Sequence, residues 1–159
     1  MYRTVQDFIN DWNAAAGGTS QVLEALTDDT LKQSIVEGHS SLGWLGWHLT
    51  TSPVFFANLV GVSVEPVGDS GTVPTAAADI SQSYKQMVER VKAGVEETLT
   101  DEMMIEDVDG MGHKVPRGAL LRTLIDHQTH HRGQMTVLLR QAGLPVPGIM
   151  GPTKEQQNN

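Results

Sequence analysis

The chain has 159 residues, with 19 acidic and 11 basic side chains and a formal charge of −8 at pH 7. At 39% hydrophobic it has enough apolar surface for one folded domain, and its acidic balance, with no Lys/Arg cluster, counts against sequence-independent binding to nucleic acid or to an anionic membrane. The absence of cysteine excludes disulfides, thiolate nucleophiles, iron–sulfur clusters and Cys-rich zinc sites.

The N-terminal stretch MYRTVQDFINDWNAAAGG lacks the charged-then-apolar pattern of a secretory signal, and no uninterrupted apolar run is long enough for a membrane span, so a cytoplasmic protein is expected. From Thr4, a candidate N-cap, apolar residues recur at helical steps from Val5 to Leu26. Gly17 and Gly18 interrupt that pattern and call for either a packing reason or a break. A second helix is predicted from Ser40 and Ser41, with Trp44, Leu45, His48, Phe55 and Leu59 on one stripe and Pro53 expected to kink or split it. The Gly/Pro/Ser-rich run GVSVEPVGDSGTVP reads as a long surface connection.

A third helix follows Pro74, with Ile80, Tyr84, Met87, Val88, Val91, Val95 and Leu99 in register. MMIEDVDGMGHKV reads as a short hairpin or loop around Asp109-Gly110, with Met103, Met104 and Met111 assigned to packing. Pro116 opens a fourth helix that Gly143 stops, and a Pro/Gly-rich segment leads to a polar end. The fold predicted is all-α, an antiparallel four-helix bundle in one domain over residues 1–151, with 152–159 as a polar tail.

His127 and His131 stand four apart on the fourth helix, close enough for two imidazoles to share a cation. Stepping along the stripe from Leu120 and Leu124 by threes and fours reaches His127, His131, Gln134 and Leu138, which directs the pair toward the bundle interior. His48 holds a similar place on the second helix. Three such histidines suit a metal with an open fourth position, while hydrogen-bonded core histidines remain the alternative from spacing alone. Gln128 stands where a His-Glu-x-x-His peptidase keeps its general base, which disfavours that chemistry. His130 is turned about 100° from His131 and is expected to face a flank or a subunit contact, and His39 and His113 are expected in solvent.

The segment LLRTLIDHQTHHRGQMTVLLRQAGLPVPG, together with SLGWLGWHLTTS upstream, resembles the DinB family, the DNA-damage-inducible or YfiT-like metalloenzymes; the run HHRGQ is the most specific part. The resemblance implies an up-down-down-up four-helix bundle, usually a homodimer. It also implies a divalent ion, nickel or zinc, held by the positions matching His48, His127 and His131. Some members of the wider superfamily are similar to transferases and isomerases in which the metal binds a low-molecular-weight thiol such as bacillithiol, mycothiol or glutathione. A chain without cysteine would borrow that sulfur.

The function expected is thus that of a metal-dependent enzyme, a thiol-dependent transferase or a hydrolase, acting on a small molecule. Gln134 is a candidate for orienting the bound ligand. The alternative is a non-catalytic, stress-related protein whose metal is structural.

Overall fold

The computed structural model describes residues 1–157. Helix α1 runs Val5–Glu24, and the Thr4 side chain caps it by accepting from the Asp7 N–H at 3.1 Å. It passes unbroken through both glycines. Gly17 faces open space, whereas a Cβ on Gly18 would stand 2.5 Å from the Ile149 side chain and 3.3 Å from Arg132 Nη1, so the second glycine admits a close approach. After a short 3-10 turn at Asp28–Thr30, Ser41 caps α2, Leu42–Leu59, by accepting from the Trp44 N–H at 3.2 Å. Pro53 lies inside α2 without splitting it, which removes the second of the two outcomes expected there.

Residues 60–76 cross over to α3, Ala77–Thr98, which is followed by the one-turn helix α4, Asp101–Met104. Strands β1, Asp107–Asp109, and β2, Lys114–Pro116, form the predicted hairpin, with Val108 opposite Val115. The turn falls later than Asp109-Gly110. Its left-handed residues are Met111 (φ 63°) and Gly112 (φ 92°), and the Asp109 carboxylate accepts from the Gly112 N–H at 2.7 Å. Met111 is therefore an exposed turn residue, while Met104 is buried in the core. Helix α5, Arg117–Gln141, starts directly after Pro116, and Gly143 takes a φ of 70° beyond its end. A further turn of helix, α6, spans Lys154–Gln157 and is tied to α5 by an Arg140–Glu155 ion pair at 2.8 Å.

Contacts at both ends fix the helix directions. Glu24 pairs with Lys85 at 2.7 Å while the Val5 N–H donates to Asp101 at 2.8 Å, so α1 and α3 are antiparallel. The Tyr2 N–H donates to the Gly118 carbonyl at 3.1 Å and Thr19 meets Gln128, so α5 runs with α1. His48 meets His127 and Val60 meets Arg117, so α2 opposes α5. Gly46 faces Ile80 and Gly94 faces Val62, so α2 and α3 are parallel and need the crossover. The bundle is up-down-down-up, with α1 and α2 on one diagonal. Phe8, Trp12, Leu23, Leu45, Leu49, Ile80, Tyr84, Met87, Leu121 and Leu124 fill its centre. No described helix is long and apolar enough to cross a membrane.

The start of α5 is tightly seated. A Cβ on Gly118 would run into the Tyr2 carbonyl oxygen and lie 3.1 Å from that of Met104. Backbone cannot give way as a side-chain tip can, so Gly118→Ala is expected to destabilise the chain by about 1–3 kcal/mol. A thermal melt lying within a degree of the parent would refute this.

Candidate metal centre

The three histidines do come together. The donor nitrogens of His48, His127 and His131 all lie within 4.8 Å of one another, and the two Nε2 atoms of His48 and His127 are 3.0 Å apart. Zinc–nitrogen bonds of about 2.0–2.1 Å in a tetrahedron put neighbouring nitrogens roughly 3.3 Å apart, so the pair is spaced close to what a shared ion needs. Without an ion, one of these Nε2 atoms carries the proton and donates to the other. His131 Nδ1 donates to Gln134 Oε1 at 2.7 Å, which turns its Nε2 edge away from Gln134. Among the described residues, no fourth His, Asp or Glu joins this group.

Each ring is held by its neighbours. Trp44 stacks on His48 with centroids 4.8 Å apart and planes 11° from parallel, and Phe56 lies 5.3 Å from His127. Burial, then the nearby His131, lowers the pKa of His48. Burial and the surrounding imidazoles push His127 down to about 4, so its ring is neutral at pH 7 and has a lone pair to offer. His127 Nδ1 is buried with no partner.

The triad sits at the edge of the core. All three rings are half-buried, and the stripe-mates assigned to His48, Trp44 and Phe55, are 43% and 50% exposed. The face of α5 that enters the core is set one residue on, and carries Leu124, Gln128, Arg132 and Met135. His130 is exposed, its ring 4.9 Å from that of His131, and His39 and His113 are exposed as expected.

Beside the triad lies a cavity of about 800 Å³ that His48 and His127 help to line. Val54, Phe55 and Phe56 of α2, Met87 of α3, and Pro66 and Val67 of the crossover make most of its wall apolar, and Thr51, Ser52, Asn58, Asp69 and Ser70 add polar groups to the lining. The crossover is pinned as a wall: Trp47 Nε1 donates to the Asp69 carbonyl at 2.9 Å, and Arg90 donates to the carbonyls of Glu65 and Pro66 at 2.9 and 2.8 Å.

The DinB family profile matches residues 1–159, the whole chain. The chain belongs to the DinB family. It is 38% identical over 156 residues to the uncharacterized protein YrdA of Bacillus subtilis (strain 168), covering 98% of this chain and 93% of that one. A crystal structure of a DinB-like protein from Bacillus cereus ATCC 10987 superposes with a TM-score of 0.89 at 38% identity, over 93% of this chain and 99% of that one. The DinB-like protein YjoA of B. subtilis shares the fold, with a TM-score of 0.73 at 24% identity over 92% of this chain and 99% of that one.

One feature of this DinB chain has no counterpart among the residues singled out from the sequence as functional. Gln128 is completely buried, and its carboxamide bonds to each of the other three long helices. Its Oε1 accepts from Tyr84 at 2.9 Å and Thr19 at 3.3 Å, and its Nε2 donates to the Leu49 carbonyl at 3.0 Å. Arg132 extends the network, donating to Thr19 at 3.3 Å and to the Ala15 carbonyl at 2.9 Å. The signal available in advance was Pro53: with no N–H, it leaves the Leu49 carbonyl without its helical donor.

Proposed function

We propose that His48, His127 and His131 hold a divalent transition ion with an open coordination position, and that the chain is a metal-dependent enzyme acting on a small molecule by thiol-dependent transfer or by hydrolysis. The observation that carries this reading is three imidazoles whose donor nitrogens lie within 4.8 Å of one another beside a largely apolar cavity, with no fourth carboxylate or imidazole joining them among the described residues. A structural ion would be expected to have that fourth protein ligand. Nickel and zinc are the expected ions, because both suit imidazole.

When bound, a divalent ion supplies Lewis acidity that favours thiolate over thiol, or lowers the pKa of water, at neutral pH. The chain's own residues prepare the place. Gln134 fixes the His131 tautomer by taking its Nδ1 proton in a hydrogen bond. Trp44 and Phe56 fix the planes of His48 and His127. The cavity wall is largely apolar, and among the described residues it carries Asp69 but no Lys or Arg, so an uncharged electrophile fits it better than an anionic one.

The purified chain is expected to carry about one transition ion per molecule, as the three-ligand site implies. Loaded with metal, it should consume 1-chloro-2,4-dinitrobenzene only when a thiol is added. Metal uptake without turnover under any common thiol would redirect the reading toward hydrolysis or a non-catalytic ion, and no uptake at all would refute the metal site.

A further inference from the structure

We infer that Gln128 is a positioning residue for the metal centre: by bonding the Leu49 carbonyl that Pro53 leaves free, it sets the register of α2 against α5 and so brings His48 to His127. The inference rests on reading the triad as a metal site.

Proline lacks an N–H, so the bond from residue 53 back to the Leu49 carbonyl cannot form, and Leu49 is fully buried where no water can replace it. A buried carbonyl of this kind needs a donor. Gln128 Nε2 supplies it at 3.0 Å from the opposing helix. The donor cannot rotate away cheaply, because its Oε1 is held by Tyr84 and Thr19 from the remaining two helices. The notch in α2 and the carboxamide of α5 thus form a key that fits in one register.

This register is the one the triad requires. His48 immediately precedes Leu49 and His127 immediately precedes Gln128, so the bond is flanked by the two histidines it brings together. Besides the histidine pair, two hydrogen bonds among the described residues join these helices. One is this bond, and the other, Arg117 Nε to the Val60 carbonyl at 3.1 Å, lies at the far end of α2. Apolar burial between the two helices adds stability but is non-directional. A slip of one residue along a helix is about 1.5 Å, whereas metal–ligand distances tolerate about 0.2 Å. His127 has no partner on Nδ1, so beyond its pairing with His48 and the contact with Phe56 its place depends on the backbone that carries it.

The test compares cobalt(II) titrations of the full-length parent, Gln128→Met and Pro53→Ala/Gln128→Met, each followed by visible absorption and by thermal melting without metal. Gln128→Met should remain folded, bind cobalt about 10–100-fold more weakly, and show a shifted cobalt spectrum. In the double variant, Pro53→Ala returns an N–H to the Leu49 carbonyl. Melting temperature should then recover toward the parent, while cobalt affinity and the altered spectrum should not. If affinity recovers in step with melting temperature, Gln128 serves only to keep the bundle folded and the inference is overturned. Parent-like cobalt binding by Gln128→Met overturns it too and leaves the metal site standing. Absence of cobalt uptake by the parent removes the metal reading itself, and this inference with it.

Discussion

His127→Leu is expected to make the metal-free chain more stable while abolishing its uptake of metal. The histidine is badly placed for stability. Its Nδ1 is buried without a partner, and a polar atom left in that state costs about 1–3 kcal/mol. Burial and three neighbouring imidazoles push its pKa down to about 4, which is the mark of a ring held where its charge is unwelcome. Leucine removes the orphaned nitrogen and keeps an apolar contact with Phe56, now 5.3 Å from the imidazole. The lost bond to His48 weighs less, because His48 is half-buried and water can take the vacated place. The net gain expected is about 1 kcal/mol, or roughly 2–4 °C in melting temperature for a chain of this size. Metal affinity should fall by more than about 100-fold with one of three ligands gone. Calorimetry of the metal-free proteins and a zinc titration check the two halves separately. A variant that melts below the parent without metal would mean that His127 is an ordinary, well-satisfied core residue.

The histidines were legible because metal ligation and helical geometry share a period. A pair four apart on one helix needs no tertiary knowledge to be seen, and the caps at Thr4 and Ser41 are equally local signals. What stayed hidden depends on choosing between neighbouring faces. A walk along α5 by threes and fours reaches His127, His131 and Gln134 as easily as Gln128, Arg132 and Met135, and the two faces differ by one residue, about 100°. Polarity favoured neither, since both faces carry polar residues. The choice was made by partners on three other helices, Thr19, Leu49 and Tyr84, which no periodicity brings together. Trp44 and Phe55 were misplaced for the related reason that an apolar residue can stand over a cavity or a histidine ring as well as in the core. Pro53, expected to kink or split α2, leaves it unsplit because the donor it lacks is supplied from outside the helix.

Trp12→Ala is expected to be the most destabilising single truncation, and bound zinc to offset part of it from across the bundle. Trp12 is fully buried, stacks with Phe8 at 6.1 Å and 20°, and donates from Nε1 to the Val88 carbonyl at 3.1 Å, fastening α1 to α3. Truncation leaves a cavity and costs about 3–5 kcal/mol, against a total of about 5–15 kcal/mol for an ordinary domain. The indole makes no contact with the triad, which α2 and α5 carry. Even so, an ion that binds only the folded chain stabilises all of it, by about 2.7 kcal/mol when free metal is 100 times its dissociation constant. Zinc at that excess should therefore raise the melting temperature of Trp12→Ala by about 5–10 °C. The same addition should do nothing for Trp12→Ala/His127→Leu, which has the same core defect and a broken site. Equal shifts in both variants would show that zinc acts elsewhere on the folded chain, and no shift in either would show that the triad does not hold zinc strongly enough to matter to the fold.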